Sequence, residues 1–149
     1  MSAAPPDGSA VVDVSVEETW QRLASDPSSV LIDVRTRAEW AFVGLPDLAS
    51  IGKQPVLIEW QQFPTNLVDQ DFAQRLTGLL EQAGVGKSAE LLFLCRSGGR
   101  SLMAARAMVG AGYTRCRNVA HGFEGGLDPT RHRGQLEGWK ARNLPWVQG

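Results

Sequence analysis

Histidine and cysteine are scarce in this chain. There are two of each in 149 residues: His121 and His132, Cys95 and Cys116. They are widely spaced and form no paired-ligand pattern, so no metal site is expected, and nothing else calls for a cofactor. Two cysteines do not make a disulfide framework. A chain of this length buries roughly 70% of its unfolded surface without one. Net charge is also nearly absent, at −1, so no general attraction to nucleic acid or an anionic membrane is expected. No apolar run approaches the ~20 residues needed to span a bilayer. No basic segment followed by an apolar core opens the sequence, which argues against a signal peptide. Together these absences favour a reducing, cytoplasmic setting without membrane or nucleic-acid partners.

What is present is the composition of a soluble globular protein, 43% hydrophobic and 21% charged. Residues 1–10, with Pro5, Pro6, Gly8 and Ser9, read as a flexible tail, and 11–149 as one domain. Charge is unevenly placed. Residues 1–94 hold 6 Lys/Arg against 13 Asp/Glu, or −7; residues 95–149 hold 9 against 3, or +6. The basic part begins at Cys95.

Strand and helix patterns alternate. Val11–Val14 reads as a short strand. Ser15 with Glu18 is a capping-box pattern that starts a helix running to about Ala24. Val30–Val34, apolar with a single acid, fits a strand buried on both faces. Thr36 with Glu39 is a second capping box, opening a short helix through Phe42. Gly44, Pro46 and Gly52 mark a loop, and Pro55–Ile58 is the next strand. A helix is expected over Leu67–Gln82, with Leu67, Phe72, Leu76, Leu79 and Leu80 as its apolar stripe and Gly84 and Gly86 at its end. Leu91–Leu94 is a strand, residues 101–111 a helix closed by Gly112, and Cys116–Val119 a last strand. One helical turn is expected around Gln135–Arg142. The alternation implies an α/β fold: a five-stranded, mostly parallel sheet with helices on both faces. In such sheets ligands bind at the carboxyl ends of the strands.

Cys95 lies at such an end, and Cys95-Arg96-Ser97-Gly98-Gly99-Arg100-Ser101 is the stretch that carries chemistry. Glycines at 98 and 99 allow the loop to turn its N–H groups inward. Inward amides and the positive end of the next helix make an anion nest. A sulfur facing it is stabilised as the thiolate, and Arg96 and Arg100 reinforce this if they point inward. Attack on sulfur requires no partner base, which suits a chain with so little histidine.

Cys95–Ser101 resembles the active-site loop of the rhodanese (sulfurtransferase) family. Leu31-Ile32-Asp33-Val34-Arg35 with Glu39-Trp40 is similar to the family's Asp-Val-Arg motif. Gly112-Tyr113-Thr114 through Asn118-Val119 resembles its last strand, and Gly138-Trp139 through Leu144-Pro145 its terminal segment. The likeness spans about residues 14–146. It implies a rhodanese-like fold in which Cys95 is the catalytic nucleophile. Cys95 would take a sulfane sulfur from a small-molecule donor such as thiosulfate, hold it as a persulfide cradled by the amides of Arg96, Ser97, Gly98, Gly99, Arg100 and Ser101, and pass it to a thiol or cyanide, a protein thiol being one such acceptor. The chain departs from the family pattern at Val43–Ala49, which lacks a histidine, and at His121, where a small residue is usual.

Related cysteine enzymes that cleave phosphate esters carry a loop with the arginine one position further on. Four residues separate Cys95 from Arg100, a smaller cradle that suits a single sulfur atom. Phosphatase or arsenate-reductase chemistry and a non-catalytic binding module are the alternatives. Supporting residues are expected around the loop. Arg35 pairs with Glu39 or Asp33 or touches substrate. Trp60 packs in the core or walls the pocket, and His121 lines the mouth or lies on the surface. Cys116 is an inert buried thiol or a resolving cysteine. Arg131, His132 and Arg133 form a basic knot, solvated or docking an acidic partner.

Overall fold

A computed structural model describes residues 11–148; the expected tail at 1–10 lies outside the described residues. Five strands form one wholly parallel sheet: β1 (Val12–Val14), β2 (Val30–Asp33), β4 (Val56–Leu57), β5 (Glu90–Leu94) and β6 (Arg115–Val119), in the order β1-β6-β5-β2-β4. β5 sits at the centre and is buried along its whole length. Its alternation divides the core. Leu91 and Phe93 face one side, with Ile32, Val34, Phe72, Leu76, Leu80 and Met108. Leu92 and Leu94 face the other, with Val16, Leu23, Leu31, Phe123 and Trp139. A continuous apolar run is what a strand covered on both faces requires.

Helix α1 (Val16–Ser25) covers the second side through Val16, Thr19 and Leu23. Ser15 caps it by accepting the Glu18 N–H at 3.0 Å. The reciprocal half of the capping box does not form, because the Glu18 carboxylate turns to Arg22 at 2.7 Å instead. At α2 (Arg37–Phe42) both halves of the Thr36–Glu39 box are made. Helices α3 (Phe72–Gln82) and α4 (Gly99–Gly110) cover the first side.

Two expectations are corrected and one is met. α3 begins at Phe72, not Leu67. Residues 61–68 form a loop closed by the Gln61–Val68 bridge and the Gln62 N–H to Leu67 O bond, with Asn66 at φ 59°. Leu67 is 65% exposed, outside the buried face of Phe72, Leu76 and Leu80. The segment 135–142 holds the single turn expected of it, in which the Arg142 N–H reaches Gly138 O four residues back at 3.0 Å, with no regular helix around it. The loop at Gly44–Pro46 holds a short strand, β3 (Leu45–Pro46), paired antiparallel with β7 (Trp146–Val147). Gly44, at φ +117°, admits no side chain: a Cβ there would sit 2.7 Å from the Trp146 ring.

Candidate active site

Cys95 follows the last residue of β5 directly, so the central strand delivers it to the carboxyl edge of the sheet. Four residues later, at Gly99, α4 begins. Gly98, at φ +116°, makes the turn that aims its N–H back at the sulfur, 3.1 Å away. The Ser101 hydroxyl, on the first turn of α4, lies 3.2 Å from the same sulfur. The sulfur therefore meets a backbone donor, a hydroxyl donor and the unpaired amide end of a twelve-residue helix.

The loop is held from outside by a segment that local sequence patterns do not single out. The Phe123 N–H donates to Cys95 O at 2.8 Å, and the Glu124 and Gly125 N–H groups donate to Arg96 O at 3.0 and 3.1 Å. With these carbonyls turned outward, the amides that follow can face the sulfur. The approach is close enough that a Cβ on Gly122 (φ +63°) would lie 2.3 Å from Cys95 O.

Arg100 does not point at the sulfur as a free cation. It grips Glu39 with two bonds, Nη1 to Oε1 at 2.7 Å and Nη2 to Oε2 at 2.9 Å, and so joins α4 to α2. Burial pushes the Glu39 carboxyl up, but the hydrogen bond and charge of Arg100, the Thr36 amide and the Arg35 charge outweigh it and hold it below its ordinary value. Burial likewise opposes the Arg100 charge, and Glu39, with lesser help from Cys95 and Asp33, overcomes it.

Arg35 is fully buried and pairs with Asp33, not Glu39: Nε to Oδ1 is 2.9 Å and Nη2 to Oδ2 is 2.7 Å. Nη2 also donates to Gly44 O at 2.9 Å, and the guanidinium lies 4.2 Å from the Phe123 ring centre. This side chain supports the segment that clamps the loop. Trp60 is partly buried and packs edge-on against the core residue Phe72 at 5.0 Å. His121 is 56% exposed and pairs with Glu137 at 2.9 Å. Neither lines the cavity beside the loop. Cys116 is buried, and desolvation pushes its thiol up to about 12, so it is unreactive near neutral pH.

A cavity of about 720 Å³ opens beside the loop. Arg96 and Arg100 line it, with α2 on one side, Phe63 on another and Arg133 of the basic knot on a third. Cys95 is 1% exposed and does not reach this wall; the loop arginines face the cavity. Sequence reasoning missed Phe63 and Arg133 as lining residues, because they lie far from the loop in the chain. Among the described residues no group of three or more potential ligands could hold a metal ion, and no helix is long and apolar enough to cross a membrane.

The rhodanese-like domain pattern matches residues 15–128. The chain belongs to that family. A crystal structure of Rv0390 from M. tuberculosis is 42% identical and superposes with a TM-score of 0.80, covering 93% of this chain and 98% of the other. An uncharacterized Rickettsia rickettsii protein is 35% identical over 136 residues, 91% of this chain and 97% of its own length. Thiosulfate sulfurtransferase 18 of Arabidopsis thaliana is 30% identical over 115 residues, 77% of this chain and 79% of its own. The parallel sheet and flanking helices are thus those of a rhodanese-like α/β domain, as the residue pattern implies.

Proposed function

We propose that this rhodanese-like chain is a sulfurtransferase working through Cys95. The observation that carries the reading is the pair of donors on the Cys95 sulfur, the Gly98 N–H at 3.1 Å and the Ser101 hydroxyl at 3.2 Å. Donors so placed stabilise a thiolate without a neighbouring base. The thiolate attacks the outer sulfur of thiosulfate; a new S–S bond forms at Cys95 and sulfite leaves with the electron pair of the bond that breaks. The charge moves to the outer sulfur of the persulfide, where the loop amides receive it. Cyanide or a thiol then takes that sulfur and Cys95 regains its negative charge. The exposed arginine of the loop, Arg96, and Arg133 across the cavity supply the field that draws in an anionic donor.

Intact-mass measurement after incubation with thiosulfate is expected to show one added sulfur atom on the protein and none on Cys95→Ser. Thiosulfate:cyanide transfer should be present and aryl phosphate hydrolysis absent. A protein that gains no mass from any sulfane donor, or that hydrolyses the aryl phosphate instead, defeats the reading.

A further inference from the structure

The hydroxyl of Ser101 has one proton and two acceptors. One is the Cys95 sulfur at 3.2 Å; the other is Asn118 Oδ1 at 2.5 Å. Asn118 is buried on β6, and its amide could in principle turn either face to Ser101. Asp13 decides which. Asp13 on β1 is the parallel register partner of Asn118, and its Oδ1 lies 3.0 Å from Asn118 Nδ2. An ionised carboxylate only accepts hydrogen bonds, so the NH₂ must face Asp13 and the carbonyl oxygen must face Ser101. The chain Asp13–Asn118–Ser101–Cys95 thus runs from an exposed edge strand to the buried sulfur, across two strands and a helix.

We propose that Asp13 and Asn118 are positioning residues that give the Ser101 proton a second resting place, and that this place is used when negative charge leaves the inner sulfur of Cys95. While Cys95 is a thiolate, the hydroxyl donates to it. Once the sulfur has bonded to an incoming atom it is neutral and a poor acceptor. The Ser101 proton then turns to Asn118 Oδ1. Without that oxygen the hydroxyl would be left in a buried site facing a weak acceptor, and such a group costs free energy. The pair therefore favours sulfur loading. It has the opposite effect on unloading, in which the inner sulfur regains its charge. As applied to sulfur transfer, this inference rests on the function proposed above; the proton geometry itself does not.

The test is Asp13→Ala. Without the carboxylate the Asn118 amide is free to present its NH₂ to Ser101, which confines the serine proton to the sulfur. Measured at a pH where the rate no longer rises, loading from thiosulfate is expected to slow about three- to tenfold, the range of one hydrogen bond. Unloading to cyanide should be unchanged or faster. Asp13→Asn keeps an acceptor oxygen and should recover most of the lost loading rate. Because alkylation also neutralises the inner sulfur, iodoacetamide modification of Cys95, located by peptide mass, should slow by the same factor. In a Ser101→Ala background Asp13→Ala should have no effect on it. Equal slowing of loading and unloading, or the same alkylation defect without the serine hydroxyl, would overturn the proposal in favour of a plain structural role. If the protein takes up no sulfur at all, the sulfurtransferase reading falls and the alkylation arm alone decides the proton geometry.

Discussion

Glycine 122 shows how much a single position carries. It has φ +63°, and its missing side chain leaves the room in which Cys95 O and Arg96 O approach the 122–125 segment. A methyl group there would meet backbone, which cannot rotate away as a side chain can. Gly122→Ala is therefore expected to cost about 3 kcal/mol or more, combining backbone strain with a clash. It should also lower the rate of Cys95 alkylation by loosening the clamp on the loop. Urea unfolding and alkylation kinetics read the two effects separately. Gly98 differs: at φ +116° it also favours glycine, yet a Cβ there would meet nothing closer than 3.8 Å, so the backbone turn is its requirement. The turn that places Cys95 between strand and helix was legible from the glycines beside it in the chain. The Gly122 clamp was not, because the contact is made with residues more than twenty positions away.

Among the elements, α2 is short and has no buried residue of its own. What fixes it is the Thr36–Glu39 capping box at its start and the Glu39–Arg100 pair to α4. Glu39 does both jobs: Oε1 receives the Thr36 N–H at 3.1 Å and the Arg100 guanidinium at 2.7 Å. Its carboxyl is held below its ordinary value, so it contributes stability above that value, 4.5, and the contribution is lost as pH falls through the lowered one. Glu39→Gln should remove this acid-side component. Its unfolding free energy should lie below that of the parent protein by about 1–3 kcal/mol at neutral pH, with the difference shrinking below pH ~4. Urea titrations at a series of pH values check this; a difference that does not change with pH contradicts it. The Thr36 cap was legible because capping is local. The partner of Glu39 was not: the chain offers Arg35 four residues before it, and only the docking of α4 against α2 selects Arg100. The start of α3 failed for a related reason. Leu67 fits the apolar stripe in sequence, but Gln61–Val68 pairing takes its segment out of the helix.

Across the molecule, one stack ties the sheet to the end of the chain. The Arg35 guanidinium lies against Phe123, Phe123 meets Trp146 edge-on at 6.3 Å, and Lys140 sits 4.0 Å from the Trp146 ring centre. The Asp33–Arg35 pair anchors it, with both side chains fully buried. Removing one member leaves a buried charge uncompensated, so Arg35→Met is expected to cost about 3–5 kcal/mol. Adding Asp33→Val should return more than half of that loss, because no unpaired charge remains. If the double variant is worse than the single one in urea unfolding, the pair stabilises by more than mutual neutralisation. Loss of the stack should also weaken the Phe123 N–H bond to Cys95 O, which joins this stability element to the candidate site.

The sequence by itself determined the strands that are buried on both faces, the capped helix starts and the cysteine loop, because apolar periodicity, capping and glycine turns act within a few residues. The order β1-β6-β5-β2-β4 and the β3–β7 pair were decided by tertiary structure, since two-residue strands carry no period of their own. So were the partners of Arg35, Glu39 and Asn118. Asn118 finds Asp13 across 105 positions of chain, and only strand register brings them side by side. The chemistry proposed at Cys95 thus rests on a loop visible in the sequence, while the groups that hold the loop and its donors come from strands and turns that only the fold assembles.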